Sequence, residues 1–232
     1  MKHGNRTIAA LAAVCTALML LIALPMAAAA ADSDGDNQLA ALDKILDGID
    51  RRYAGQGFSA AFFQSSTLQA LGITDTAKGR LTVKRPGKML WIYDAPDTQT
   101  IVTDGEHLWI YRPADNQVMV GTAPAFFRDG KGASFLTDTR KVREQFHVSQ
   151  VPPDRPDTIR LQLLPRTPQA DITRILVTVD QKSNQVVDIV TINTQNDETR
   201  IELRDIVFQD NLPDSLFRFN IPEGVNIVSL DE

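Results

Sequence analysis

The sequence contains little cysteine and little histidine, with one cysteine and three histidines in 232 residues. The cysteine, Cys15, follows Val14 and lies inside an apolar run that continues to Leu24. A lipid-modified cysteine would instead follow a small residue at the end of such a run, so we interpret Cys15 as an ordinary residue of it. The rest of the chain therefore cannot form an intramolecular disulfide or use a thiol as a nucleophile.

The chain also lacks the motifs of the common catalytic and nucleotide-binding sites. It contains no G-x-S-x-G, no Walker loop and no G-x-G-x-x-G pattern. His107 and His147 have no second metal ligand at a metal-binding spacing, and a lone histidine in a strand is usually structural. We therefore expect no enzymatic activity, no metal and no cofactor.

Lysines and arginines are spread along the chain and are outnumbered by acidic residues, so we expect no binding surface for nucleic acid or an anionic membrane. The first 31 residues resemble a secretory signal peptide, with Lys2 and Arg6 before an apolar run and a series of alanines that fits a cleavage site. A membrane anchor is the alternative, because the run approaches the ~20 residues that a spanning helix needs. Cleavage would remove two of the 24 basic residues and none of the 29 acidic ones, changing the formal charge from −5 to −7.

After residue 31, the pattern predicts a flexible leader at residues 32–37 and one domain at residues 38–232. Leu39, Leu42, Ile45, Leu46 and Ile49 have helical spacing and predict an amphipathic helix that ends near Gly55. Short alternating segments then predict strands at residues 58–65, 78–85, 88–94, 99–104, 107–112, 116–120, 144–151, 157–164, 172–180, 185–194, 199–208 and 216–221. So many sequential strands favour an incomplete antiparallel β-barrel, that is, a strongly curved mainly β sheet.

Residues 122–143 interrupt the strand pattern. They contain aromatic residues on both sides of Gly130 and Gly132, and then a helix-permissive stretch. We interpret this segment as a short helical lid, because an insertion of this length in a compact domain is usually functional or disordered.

The residues around the third strand resemble a known family. Arg85-Pro86, Trp91, Asp104-Gly105 and Tyr111 stand in the order and spacing of the periplasmic lipoprotein carrier family LolA. The resemblance extends to a first strand with Phe58, Phe63 and Gln64, and to the ending Phe217-x-Phe219-x-x-Pro222-x-Gly224-Val225. It covers roughly residues 38 to 230, and it implies an unclosed barrel with a lid and a soluble periplasmic protein.

Aromatic residues and one arginine are the candidate functional residues. An aromatic wall with a lid would form an apolar cavity of the kind that β-barrels use for ligands. The candidates for the cavity and the lid are Phe63, Trp91, Tyr93, Trp109, Tyr111, Phe126, Phe127, Phe135 and Leu136. The resemblance implies that Arg85, in the family's R-P motif, latches the closed lid; a solvated arginine at the end of a strand is the alternative.

The implied function is transport of acylated lipoproteins through the periplasm. The resemblance implies that a monomer receives them from an ATP-driven release complex of the inner membrane and passes them to an outer-membrane acceptor. Two alternatives keep the fold: a carrier for another amphiphile such as a glycolipid, and a lipid-sensing regulatory module. Sensors of that kind usually have a second domain, for which this chain is short.

Overall fold

The computed structural model describes residues 28–55, 57–123, 140–168 and 171–231, without the side chains of residues 28–36, 38, 140 and 141. Contacts divide the chain into two units, residues 1–39 and 40–232. The described part of the first unit is helical, and helix α1 runs from Ala28 to Tyr53. Residues 32–37, predicted as a flexible leader, lie within this helix. All features below lie in the second unit.

The described residues of the second unit form one sheet of twelve strands. The strands are β1 (Gly57–Leu68), β2 (Ile73–Lys84), β3 (Lys88–Ala95), β4 (Gln99–Thr103), β5 (His107–Arg112), β6 (Gln117–Thr122), β7 (Phe146–Val151), β8 (Thr158–Pro165), β9 (Arg174–Asp180), β10 (Val186–Ile192), β11 (Glu198–Gln209) and β12 (Asn226–Ser229). Their order is β12-β6-β5-β4-β3-β2-β1-β11-β10-β9-β8-β7. Within the described residues β12 and β7 are the two edges, so the sheet is not closed, as predicted.

The end of the chain differs from the prediction. Residues 216–221, predicted as a strand, instead include the end of a 3-10 helix at Asp214–Phe217. The last strand, β12, pairs with β6 in parallel, so the sheet is not purely antiparallel. The apolar residues Phe217 and Phe219 are two positions apart, which resembles the alternation of a strand. Both pack on the sheet: Phe217 is fully buried, and Phe219 lies beside Trp109 and Tyr111.

The lid prediction falls largely on residues 124–139, which lie outside the described residues. The structure shows where that stretch begins and ends. It leaves from the end of β6, next to one edge strand, and leads to helix α2 (Arg140–Gln145) and then to β7, the other edge strand. The predicted strand at residues 144–151 starts at Phe146, because α2 occupies the preceding residues.

One face of the sheet, here called the inner face, packs against the last turns of α1. The core that they share contains Leu46, Ile49 and Tyr53 of the helix together with buried residues of β1, β2, β3 and β7 to β11. Burying a large apolar side chain contributes ~1.5–3 kcal/mol, so this packing holds α1 on the sheet. The opposite, outer face of β5 packs against the chain that leads to β12.

Candidate functional site: an apolar cavity beneath helix α1

An apolar cavity lies between α1, α2 and three strands of the inner face. Its empty volume is about 340 Å³, which includes space open to solvent. The lining residues are Leu46, Ile49 and Asp50 of α1, Val142 of α2, Leu161 and Leu163 of β8, Val177 of β9 and Val186 of β10. Seven of these eight side chains are aliphatic, so the cavity suits an apolar ligand.

The periodicity of α1 explains why this helix covers the cavity. Leu42, Ile45, Leu46 and Ile49 repeat at the spacing of one helical face, and all pack on the core. Asp43, Asp47 and Asp50 lie on the neighbouring face, and all three are within 4.0 Å of the guanidinium of Arg143 in α2. The two elements that cover the cavity are therefore joined by charged groups at its rim.

Two predicted aromatic residues, Trp91 and Tyr93, form a cluster with Phe62 on β1 and β3. The ring of Phe62 lies 4.9 Å from the rings of both Trp91 and Tyr93, edge to face in each case. Gly79 makes this approach possible, because a Cβ there would lie 2.9 Å from Phe62 and 1.9 Å from the carbonyl oxygen of Ile92. Trp91 is 3% exposed and belongs to the core, as one would expect of a packing residue.

Tyr93 adds a polar contact to this cluster. Its hydroxyl donates a hydrogen bond to the Oε1 atom of Gln64 over 3.0 Å. Burial raises the pKa of Tyr93 to about 12, so the hydroxyl stays neutral at physiological pH. The cluster lies on β1 and β3, whereas the cavity is bounded by β8 to β10, so the two are separate parts of one core.

Three other predicted cavity residues do not lie on the inner face with Trp91. Phe63 alternates with the buried Phe62 and is 38% exposed. Trp109 and Tyr111 pair with strand neighbours of the outer face, where both rings lie within 6.4 Å of the ring of Phe219. Their neighbour Ile110 faces inward instead. The sequence predicts the strand alternation here, but not which side of the sheet faces the core.

The four predicted lid residues, Phe126, Phe127, Phe135 and Leu136, lie outside the described residues. Their position relative to the cavity therefore stays a prediction. The described contribution of the predicted lid segment to the cavity is Val142, 6% exposed.

Arg85 lies beside the C-terminal end of α1. Its guanidinium carbon is 5.8 Å from the centre of the Tyr53 ring, a cation–π distance. Tyr53 is 1% exposed, and its hydroxyl accepts a hydrogen bond from the backbone N–H of Val186 over 3.0 Å. Burial is the main reason why the pKa of Tyr53 is raised to about 12. Arg85 therefore contacts the residue that fixes the end of α1 to the sheet.

Sequence reasoning missed the cavity residues of β8 to β10 and the group around Arg143. The alternating valines and leucines of these strands indicate only that one face is buried. The spacing of Asp43, Asp47 and Asp50 does signal an acidic stripe, since residues three and four apart are neighbours on a helix. It does not reveal which basic residue faces the stripe.

Comparison with known sequences identifies the family. The family described as outer membrane lipoprotein carrier protein LolA matches residues 54–220, which is most of the chain. The chain belongs to the LolA family. Among LolA relatives, an outer-membrane lipoprotein carrier protein of Bordetella pertussis is 30% identical over 176 residues, covering 72% of this chain and 78% of that protein. A carrier of the same description from Pseudomonas entomophila is 24% identical over 212 residues, covering 91% of this chain and 97% of that protein.

A similar fold is also found among solved structures. An uncharacterised conserved protein of Thermus thermophilus matches with a TM-score of 0.53 and 10% identity, over 82% of this chain and 99% of that one. At this identity the match supports the fold alone. Among the described residues, no helix is long and apolar enough to cross a bilayer, and no three potential metal ligands come together.

Proposed function

We propose that this LolA-family protein carries acylated lipoproteins through the periplasm, covering their acyl chains between the inner and the outer membrane. The observation that carries the proposal is the aliphatic cavity beneath α1, in a chain related along most of its length to lipoprotein carriers. Each methylene withdrawn from water contributes ~0.8 kcal/mol, so long acyl chains cross an aqueous compartment only when they are covered.

The proposal includes export and two exchange partners. Residues 1–31 act as a cleaved signal peptide, and the mature monomer is soluble. An ATP-driven complex of the inner membrane loads the carrier, and an acceptor at the outer membrane unloads it. The carrier itself catalyses no reaction, and binding requires neither metal nor cofactor.

Binding of acylated and unacylated forms of one peptide tests this function. The neutral dye N-phenyl-1-naphthylamine should bind to the mature protein at about one dye per protein. A peptide with two palmitoyl chains should displace the dye, and the same peptide without them should not. Equal effects of both peptides would contradict a carrier of acylated cargo.

Arg85 has a role in this proposal as well. We expect its guanidinium to favour the closed state through contacts at the end of α1, in line with its distance to Tyr53. Charged hydrogen bonds are worth ~1.5–3 kcal/mol, and each 1.4 kcal/mol is a factor of about ten in affinity. Arg85→Leu should therefore load normally and retain lipoprotein, so that a loaded periplasmic complex accumulates; Arg85→Lys should lie in between. Normal transfer by Arg85→Leu would show that Arg85 is merely a solvated strand-end residue.

A further inference from the structure

The contacts of Arg143 join the two helices that cover the cavity. Its Nη1 atom donates to Oδ2 of Asp50 over 2.8 Å, and its Nη2 atom donates to Oδ1 of Asp47 over 2.6 Å. Nε lies 3.8 Å from Oδ1 of Asp43, and Nη2 also reaches the carbonyl oxygen of Asp43 at 3.5 Å. We call these four residues the Arg143 clasp.

The clasp lies at the rim of the cavity. Asp50, whose side chain is 26% exposed, is itself a lining residue, and Val142, next to Arg143 in the chain, is another. Helix α2 has only six residues, and an isolated helix of that length is unstable in water. Its position over the cavity therefore depends on Val142, on the clasp and on its contacts with Arg166.

Arg166 ties α2 to the strand side of the cavity independently of the clasp. Its backbone N–H donates to the carbonyl oxygen of Gln145 over 2.9 Å, and its side chain donates to the carbonyl oxygen of Arg143 over 3.3 Å. These bonds hold the end of α2 next to β8. Among the described side chains, the clasp connects α2 to α1 through charged groups, so opening it lets the helices separate while α2 stays attached to the sheet.

The cavity is small for the proposed cargo. Its 340 Å³ of empty space already includes space open to solvent, so the enclosed part is smaller still. A cargo with several long acyl chains needs more space than that. Helices α1 and α2 are not consecutive in the chain, so they can move apart and enlarge the cavity.

We propose that the Arg143 clasp is the gate of this cavity: it holds α1 against α2 while the cavity is empty, and it opens when an acyl chain enters. This inference rests on the proposed carrier function. Without the guanidinium, Asp43, Asp47 and Asp50 would repel one another along α1, and α2 would lose its charged partner on that helix. The closed state would weaken while the aliphatic lining stayed the same.

The test compares Arg143→Leu, Arg143→Lys and wild type in titrations with N-phenyl-1-naphthylamine and the dipalmitoylated peptide. Arg143→Leu should bind both about tenfold more tightly, which corresponds to ~1.4 kcal/mol of lost closed-state stability. Arg143→Lys should lie in between, because lysine keeps the charge but not the planar fork. High salt should reduce the difference between wild type and Arg143→Leu, since it screens partly exposed charges.

Arg80→Leu is the matched control. Arg80 forms an exposed ion pair of 3.4 Å with Asp94, away from the cavity lining, so this variant should bind like wild type. If wild type prefers the acylated peptide but folded Arg143→Leu binds no more tightly than wild type, the gate is overturned and the carrier function is not. A wild type that does not distinguish the peptides would overturn the carrier function first.

Hydrogen exchange in wild type gives a readout that requires no variant. Amides of residues 140–145 should exchange faster once the dipalmitoylated peptide is bound, because α2 has then left α1. Amides of β9 should keep their protection. Equal or greater protection of α2 in the complex would overturn the gate, even if Arg143→Leu failed to fold.

Discussion

Replacing Tyr53 by phenylalanine removes one buried hydroxyl from the end of α1 and leaves the ring in place. The ring packs edge to face against Phe58 and Phe208, with centres 5.4 and 5.3 Å away. The hydroxyl accepts the hydrogen bond of the Val186 N–H, and both groups are buried. Tyr53→Phe therefore tests a single hydrogen bond between the helix and the sheet.

The expected cost follows from the burial of the group left behind. A buried donor that loses its partner costs ~1–3 kcal/mol, and Val186 is 1% exposed. Tyr93→Phe is the matched control, because Gln64 is only part-buried and can turn to solvent. Its cost should be ~0.5–1.5 kcal/mol. Urea unfolding followed by tryptophan fluorescence measures both free energies of unfolding.

The alkaline range offers a second measurement on the same variants. The pKa of each tyrosine is raised from 10.0 to about 12 in the folded protein, so each favours the folded state below pH 10 and loses that contribution between about pH 10 and 12. The loss of stability in this window should be smaller in either variant than in wild type. If Tyr53→Phe cost no more than Tyr93→Phe, water would reach the end of α1, and the tight anchoring argued above would be wrong.

Three further substitutions test the fold around the site. Trp91→Ala should cost ~3–5 kcal/mol in urea unfolding because Trp91 is a core residue, whereas Trp109→Ala, only half-buried, should cost clearly less. Asp188→Ala should cost ~1–3 kcal/mol by the same assay, because it removes the buried carboxylate 2.7 Å from Arg200 Nε, whereas Arg200 is partly exposed and keeps Glu202 at 3.8 Å. Hydrogen bonds from lysines lower the pKa of Asp214 to about 2, so Asp214→Asn should reduce the acid-induced loss of stability between about pH 4 and 2, measured by thermal melts.

The regular strands could be predicted from the sequence because each carries a local signal. Asp104-Gly105 predicts a tight connection, and Gly105 does adopt a positive φ of 102° between β4 and β5. The parallel strand β12 has no such signal, since all four of its residues are exposed and none alternates with a buried neighbour. Its place is set by pairing with β6, a contact made across the chain.

The site was less predictable than the sheet. The spacing of its apolar residues predicts helix α1, but the choice between inner and outer face for Trp91 and Trp109 depends on where the C-terminal chain packs. The bond between Arg143 and Asp50 joins residues 93 positions apart, and no local pattern marks that meeting. Long-range contacts therefore decide both the boundary of the cavity and the group at its rim.

Mass spectrometry of the mature protein purified from the periplasm without detergent tests the carrier function most directly. The account predicts a complex of one protein with one acylated lipoprotein, retained in larger amounts by Arg85→Leu. Bound glycolipid in place of lipoprotein, or a protein that carries no acylated molecule even as Arg85→Leu, would contradict it.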